Sequence, residues 1–205
     1  LVLLSAALNA PAGGRGIGQR TYLAAMLVEI IHTASLIHDD VIDEADTRRG
    51  RASANAKWQS RNAVVLGDYL LARNMELGMR SGQYDLVSYV IASIATLCEG
   101  ELLQSDRAER MEITRDAYLE IIYKKTASLL GISAGVGALS AGANREQVAR
   151  MRRFGDALGM AFQIQDDILD FTRGAETGKP SNNDLREHKI TLPLLLLLDL
   201  SLIHI

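Results

Sequence analysis

The 205-residue sequence is poor in several residue types that mark other classes of protein. It has one cysteine, Cys98, so an internal disulfide is excluded and we expect a reducing compartment with Cys98 filling the core. Uninterrupted apolar runs stay well below the roughly 18 residues of a membrane span. The net charge of −3 offers no basic surface for nucleic acid. We therefore expect a cytoplasmic protein with no transmembrane segment and no nucleic-acid partner.

Proline is also scarce, with three in the chain, and apolar residues recur at helical spacing between them. No segment alternates as a strand does, so the pattern predicts an all-α protein. The predicted helices cover 20–45, 58–80, 83–104, 114–141 and 145–173, with another from about 184 and a helix tail over 1–10.

We expect one helical domain over 1–199, incomplete at both ends, because the chain begins without methionine inside a helical pattern. Residues 200–205 match a reading frame of a common sequencing-adapter DNA and are interpreted as a non-native tail.

Two acidic clusters, Asp39-Asp40-Val41-Ile42-Asp43 and Asp166-Asp167-Ile168-Leu169-Asp170, lie in apolar helical segments. The first and last aspartate of each cluster are four residues apart and share a helix face. Carboxylates in apolar surroundings need cations to offset their desolvation. With one cysteine and four histidines in the chain, aspartate oxygens indicate a hard ion, and magnesium fits best.

Basic residues follow or face these clusters: Arg48-Arg49-Gly50-Arg51, Lys124-Lys125-Thr126, Lys179 and Lys189. A metal-bridged diphosphate held by arginine and lysine accounts for both signs of charge.

Together these segments resemble the trans-isoprenyl (polyprenyl) diphosphate synthases, and the resemblance extends to about Asp199. The resemblance is carried by five parts of the sequence: residues 35–43 together with 48–50, residues 67–72, Lys125-Thr126, residues 162–170 and residues 178–193. It implies an isoprenoid-synthase-type helical bundle around a central apolar cavity.

The resemblance also implies residue roles. Metal ligands are expected at Asp39, Asp43, Asp166 and Asp170, holding three Mg²⁺ with substrate present, and Asp40 and Asp167 assist them. The allylic diphosphate is expected to contact Arg48, Lys125, Gln163 and Lys179, supported by Thr126 and Lys189. Isopentenyl diphosphate is expected to contact His32 and Arg49.

The implied reaction joins isopentenyl diphosphate head-to-tail to an allylic prenyl diphosphate and releases diphosphate. In this family the residues four and five positions before the first aspartate limit product length, and here they are the small Ser35 and Ala34, with Ile31 one turn deeper. We therefore expect a product longer than twenty carbons. The family is commonly dimeric, so a homodimer is expected, with the apolar segment 84–97 as one possible contact.

The sequence also departs from the family. The Gly-Gly-Lys-Arg-Leu-Arg-Pro segment that normally precedes Leu1 is absent, so we expect this fragment to be inactive. Asn182 and His188 stand where many members have glycine.

Four alternatives stay open. Two of them keep the fold: another class I terpenoid synthase, or a catalytically inactive subunit of a heteromeric synthase. A di-iron bundle is suggested by Glu29-Ile30-Ile31-His32, which lacks the second copy it needs. An HD-type phosphohydrolase is suggested by His38-Asp39.

Overall fold

The chain folds as a bundle of helices in a computed structural model that describes residues 1–11, 17–110, 114–171 and 191–200. The helices are α1 (Val2–Leu8), α2 (Gln19–Ile42), α3 (Ala54–Arg80), α4 (Tyr84–Arg110), α5 (Arg115–Ile122), α6 (Ser128–Ser140), α7 (Arg145–Phe171) and α8 (Leu192–Leu200). A π-helical turn, Tyr123–Ala127, joins α5 to α6 and is called the π-turn below. The all-α prediction is confirmed.

Three local predictions need correction. The helix predicted over 114–141 is interrupted by the π-turn. No strand was predicted, yet the segment after α2 contains a two-residue ribbon, in which β1 (Thr47–Arg48) pairs antiparallel with β2 (Arg51–Ala52). Cys98 is exposed rather than part of the core, because it lies on the outward side of α4. Residues 174–183 and the start of the helix predicted from about 184 lie outside the described residues.

Helix α6 is the centre of the bundle. Most of its thirteen residues are buried, and small residues predominate among them, as expected for a helix surrounded by others. Ser5 of α1 donates a hydrogen bond to the Ala134 carbonyl at 2.5 Å. On another side, a side chain on Gly155 of α7 would come within 2.5 Å of the Leu130 carbonyl oxygen. The small residues therefore let several helix backbones approach α6 closely.

The apolar core lies between α2, α4 and α6. Its fully buried side chains include Leu27 and Ile31 from α2, Leu86 and Val90 from α4, and Ile132 from α6. Each such side chain contributes about 1.5–3 kcal/mol through removal from water. This core fixes the direction of α2, whose C-terminal end carries the first acidic cluster.

Helices α2 and α4 are long and apolar enough to cross a membrane, judged by length and composition alone. A helix that supplies the core of a bundle has the same composition. Both helices do supply core residues here. The absence of a transmembrane segment stays a prediction.

Candidate functional site

The first acidic cluster occupies the C-terminal end of α2. Asp39 is half-buried, whereas Asp40 is only 3% exposed. Arg48 donates to Asp40 Oδ1 from Nε at 2.8 Å and from Nη2 at 2.5 Å. Asp43 ends the helix, and its N–H bonds to the Asp39 carbonyl at 2.8 Å. The buried aspartate is thus held by Arg48, while its neighbours Asp39 and Asp43 face elsewhere.

A tight hairpin delivers Arg48 to Asp40. Arg48 pairs with Arg51 in the ribbon, and the two residues between them have positive φ, 52° at Arg49 and 73° at Gly50. Positive φ at both positions is the geometry of the turn that best fits a two-residue hairpin. Gly50 adopts it freely, whereas arginine rarely does. Arg49 lies at the tip of this turn and is exposed.

His38 points towards α3 and not towards the acidic cluster. Its Nε2 lies 3.2 Å from the Val64 carbonyl oxygen and 3.4 Å from Asp68 Oδ1. The imidazole also packs against Gly67, where any side chain would collide with it. This contact explains the need for glycine at that position of α3. It also argues against an HD-type phosphohydrolase, in which His38 and Asp39 would share a metal.

The second acidic cluster lies near the C-terminal end of α7. Asp167 is 3% exposed, and it accepts a hydrogen bond from the Tyr118 hydroxyl at 2.6 Å and one from Gln163 Nε2 at 2.8 Å. Asp166 is exposed and Asp170 is half-buried. As in the first cluster, the middle aspartate is anchored within the protein.

The π-turn lies between the two clusters. Thr126 donates to Gln163 Oε1 at 2.7 Å, which connects it to Asp167. The neighbouring residue, Lys125, is close enough to Asp39 to influence its pKa. Because adjacent residues of one turn reach towards both clusters, the turn brings the ends of α2 and α7 to the same region. π-Turns inside helices occur frequently at functional sites.

Sequence reasoning missed two residues that hold Lys125, both on α4. Glu101 lies 2.6 Å from the Lys125 ammonium, and Gln104 Oε1 accepts a hydrogen bond from it at 2.9 Å. Tyr118, the partner of Asp167, was missed as well. The available signal was the pattern Glu99-Gly100-Glu101, which supplies two carboxylates for Lys124 and Lys125 and a glycine for close approach.

The electrostatics of the first cluster call for a cation. Burial raises the pKa of Asp39 from 3.8 to about 6, helped by repulsion from Glu101 and Asp43, while Lys125 and Arg48 lower it. Burial likewise raises the pKa of Asp167, against the bonds from Tyr118 and Gln163. A magnesium ion at Asp39 would relieve this cost, so the aspartates present fit that ion.

Among the described residues, no three carboxylate, imidazole or thiol side chains converge closely enough to hold a metal by themselves. Magnesium commonly completes its shell with water and substrate phosphate oxygens, which suits a site shared with a diphosphate.

The remaining predicted site residues are distributed as follows. Ser35 is half-buried one turn below Asp39 on the same face, and Ile31 and Ala34 are fully buried. His32 is half-buried two turns below Asp39. Lys179 and Lys189 lie outside the described residues, as do Asn182 and His188.

Two cavities lie away from the aspartates. One, of about 10 Å³, lies among α2, α3 and α4 and is lined by Leu27, Asn74, Met75, Val87, Val90 and Ile91. An apolar groove of about 410 Å³ is bounded in part by Tyr89 and Arg152. Arg152 precedes Asp166 by roughly 21 Å along α7, at a rise of about 1.5 Å per residue, so this groove is separate from the second acidic cluster.

The sequence model of the polyprenyl synthetase family matches residues 1–202. The heptaprenyl diphosphate synthase component 2 of Geobacillus stearothermophilus is 44% identical over 178 residues, covering 86% of this chain and 56% of that protein. A decaprenyl diphosphate synthase structure from Rhodobacter capsulatus matches with a TM-score of 0.87 at 40% identity, over 98% of this chain and 61% of the other.

A third relative is a polyprenyl synthase from Caulobacter crescentus CB15, whose structure contains calcium and isoprenyl diphosphate. It matches with a TM-score of 0.86 at 38% identity, over 97% of this chain and 60% of the other. The chain thus spans about 56–61% of the length of these relatives. Both the sequence and the helical fold match this family, and the chain belongs to the polyprenyl synthetase family.

Proposed function

We propose that the full-length protein is a prenyltransferase that elongates an allylic prenyl diphosphate with isopentenyl diphosphate and releases diphosphate. The observation that carries this proposal is the π-turn, from which Lys125 reaches towards the first aspartate cluster and Thr126 connects through Gln163 to the second. The pairing of acidic faces with a lysine and an amide suits a substrate that carries both phosphate and bound metal.

The residues act in distinct ways in this proposal. Magnesium, expected as three ions with substrate present, would supply positive charge that stabilises the departing diphosphate. The side chains that would hold it are those of Asp39, Asp43, Asp166 and Asp170. Phosphate oxygens of the allylic substrate bind Arg48, Lys125 and Gln163, with help from Thr126, and from Lys179 and Lys189 outside the described residues. Arg49 and His32 contact isopentenyl diphosphate.

The apolar wall below Asp39 supports a product longer than twenty carbons. The residues nearest the site, Ser35 and Ala34, are small, and Ile31 lies a turn deeper. Relatives whose names specify heptaprenyl and decaprenyl products support this length. The 10 Å³ cavity beyond Ile31 widens in this proposal by rotation of Met75, a flexible side chain on its wall.

Product length is tested by Ala34→Phe and Ser35→Phe in the full-length protein. Ala34 is fully buried, so phenylalanine there risks misfolding, whereas Ser35 is half-buried and is the safer site. Either variant that folds should give a product shortened by at least one five-carbon unit on chromatography. An unchanged product distribution from folded Ser35→Phe protein would contradict the assigned tunnel.

We propose a homodimer as the assembly and the cytoplasm as the compartment of the reaction. Large apolar side chains of α3 and α4 are exposed in the single chain, including Tyr69 at 57%, Met79 at 55% and Tyr84 at 59%. Within 84–97 several residues pack inward, so the contact extends to α3. Light scattering of the full-length protein measures the assembly, and the exposed Cys98 offers a cross-linking site on α4.

A heteromeric synthase is the second candidate, because the relative from Geobacillus stearothermophilus is named component 2. In that case this protein carries the aspartate clusters and needs a second, different chain for turnover. A monomer that shows no activity alone and gains it with a co-purified partner would favour this reading over the homodimer.

The decisive experiment assays the full-length protein with radiolabelled isopentenyl diphosphate, several allylic starters and magnesium. Incorporation of label into longer prenyl diphosphates is expected, and it should fall by at least about a hundredfold in Asp39→Asn and Asp166→Asn variants. Conversion of the allylic substrate without uptake of label would instead indicate another class I terpenoid enzyme.

A further inference from the structure

Helix α4 meets the π-turn through a short matched pattern. A side chain on Gly100 would lie 2.9 Å from both Lys124 Cβ and Lys125 Cγ, so the two backbones are as close as glycine permits. The residues on either side of Gly100 each pair with one lysine. Glu99 lies 3.3 Å from the Lys124 ammonium, and Glu101 lies 2.6 Å from that of Lys125.

The two pairs differ in their surroundings. The Glu99 side chain is 60% exposed, and its lysine also contacts Glu120 at 3.0 Å on the outside of the bundle. The Glu101 side chain is 28% exposed and lies near Asp39, and the two carboxylates repel each other. Glu101 therefore belongs to the site, whereas Glu99 belongs to the surface.

Glu101 reduces the positive charge that the metal-free site offers to a diphosphate. Lys125 is neutralised by Glu101, with Gln104 holding a further ammonium hydrogen. Arg48 is bound to Asp40. The carboxylate of Glu101 lies close enough to that of Asp39 to repel it, so these two groups leave negative charge in this part of the site. A diphosphate alone would be repelled, and it would have to compete with Glu101 for Lys125.

We propose that Glu101 is a positioning residue that makes diphosphate capture depend on prior or simultaneous binding of divalent metal. It holds Lys125 in place and cancels its charge, so that diphosphate gains this lysine only when metal at the aspartates has made the site positive. This inference rests on the proposed function, because it takes Lys125 as a diphosphate ligand.

The test measures binding of radiolabelled inorganic pyrophosphate to the full-length protein by equilibrium dialysis, with magnesium and with a chelator. The readout is the ratio of the two affinities at equal free pyrophosphate, which is the coupling between metal and anion. Glu101→Gln removes the charge and keeps a hydrogen-bond acceptor for Lys125. Glu99→Gln is the matched control, two residues away on the same helix.

In Glu101→Gln, metal-free affinity should rise and the ratio should fall by roughly tenfold, as expected when one nearby unit charge is removed from a partly solvated pocket. The ratio in Glu99→Gln should stay within about twofold of wild type, because its charge is screened by solvent. A ratio in Glu101→Gln that equals that of wild type would overturn the inference, since a purely structural role changes stability and not the coupling.

A second variant covers the case in which Glu101→Gln does not fold. Gln104→Glu adds a carboxylate beside Lys125 and should raise the ratio at least threefold; an unchanged ratio would overturn the inference.

Lys125→Met distinguishes a failure of the proposed function from a failure of the role assigned to Glu101. If wild type binds pyrophosphate with magnesium no better than Lys125→Met does, the proposed function fails with it. If they differ while Glu101→Gln matches wild type, only the role of Glu101 fails.

Discussion

Each aspartate cluster contains a buried carboxylate, but the hydrogen-bond partners of that carboxylate differ between the two clusters. In each, the middle aspartate is buried, Asp40 in the first and Asp167 in the second. Asp40 is held by the cation of Arg48, which arrives from a separate hairpin. Asp167 is held by the neutral Tyr118 hydroxyl and by Gln163, one turn earlier on its own helix. A buried carboxylate can thus be satisfied by a charge or by two neutral donors.

The comparison shows that side chains of the protein itself anchor the middle aspartate of each cluster. Such an anchor fixes the rotation of its helix end. The anchor of the first cluster is charged and the anchor of the second is neutral. Loss of the anchor should therefore cost more in the first cluster, and the predictions below test that order.

Arg48→Met should have the largest effect on stability. It leaves Asp40 buried without its cation, and breaking a buried pair costs about 3–5 kcal/mol when both partners are fully buried. Because about a third of the Arg48 side chain is exposed, we expect a loss of about 2–3 kcal/mol in the free energy of unfolding at neutral pH, measured by urea denaturation. The exposed Arg51→Met in the same hairpin is the control. Equal effects of the two variants would refute the proposed anchor.

Tyr118→Phe should cost less, about 1 kcal/mol, because Gln163 still donates to Asp167. Burial already raises the pKa of Asp167, and the Tyr118 bond lowers it, so the variant raises that pKa further. The loss is present where Asp167 is charged and shrinks as pH falls through its folded pKa, since the protonated carboxyl is less costly to bury. Denaturation at several pH values checks this, with exposed Tyr22→Phe as control. A loss that grows towards low pH would contradict it.

The sequence predicted most of the fold because helix patterning is local. Apolar residues at helical spacing and scarce prolines were enough to place the ends of α2, α3 and α7 within about four residues, whereas α4 continues to Arg110, beyond its predicted end at 104. The π-turn could not be predicted this way, because Tyr123-Lys124-Lys125-Thr126-Ala127 contains no residue that disrupts an α-helix. Its extra residue is accommodated by contacts with α4 and α7, which are far away in sequence.

The aspartates of the candidate site could be proposed from the sequence because both clusters repeat one spacing in apolar helices. Their partners were not all found, for a physical reason. Glu101 and Tyr118 look like ordinary helix residues until folding brings α4 and α5 against the clusters. Burial of Asp40 and Asp167 could not be predicted from the sequence either. The aspartates of one cluster point in different directions around the helix, and only the packing of the folded protein decides which of them turns inward.

Glu101→Gln should shift the titration of Asp39 in metal-free, full-length protein. Burial comes first in raising the pKa of Asp39 to about 6, and Glu101 comes second. Removal of that charge should lower the pKa by up to about one unit, and Lys125→Met should raise it, since lysine favours the charged carboxylate. Carbon-13 NMR of labelled aspartate, assigned with Asp39→Asn, measures both. Shifts of the same sign in the two variants would contradict the assigned contacts.

The raised pKa of Asp39 also determines how the stability of the metal-free protein changes with pH. The folded state binds a proton at Asp39 more tightly than the unfolded state does, so metal-free protein should gain stability from this group as pH falls from about 6 towards 3.8. Saturating magnesium with pyrophosphate should remove that gain, because the metal then competes with the proton.

Backbone strain gives the last contrast between the two clusters. Three non-glycine residues with positive φ, Glu44, Arg49 and Gln59, follow the first cluster within sixteen positions of Asp43, whereas α7 up to Phe171 has none. Gln59 is the clearest case, with φ 67° and ψ 153° inside α3, in a region close to one that only glycine adopts readily. Helix α3 is kinked at this residue.

Gln59→Gly should therefore stabilise the protein slightly. Relief of strain is worth about 1–3 kcal/mol, and the added freedom of glycine in the unfolded chain offsets about 0.5–1 kcal/mol of it. We expect a net gain of about 1 kcal/mol in urea denaturation, with no change in pyrophosphate binding because the bend itself is kept. Ser60→Gly, at a neighbouring exposed position of the same helix with ordinary φ, should destabilise the protein by up to about 1 kcal/mol. Loss of stability in both variants would mean that favourable contacts of the Gln59 side chain outweigh any backbone strain at this position.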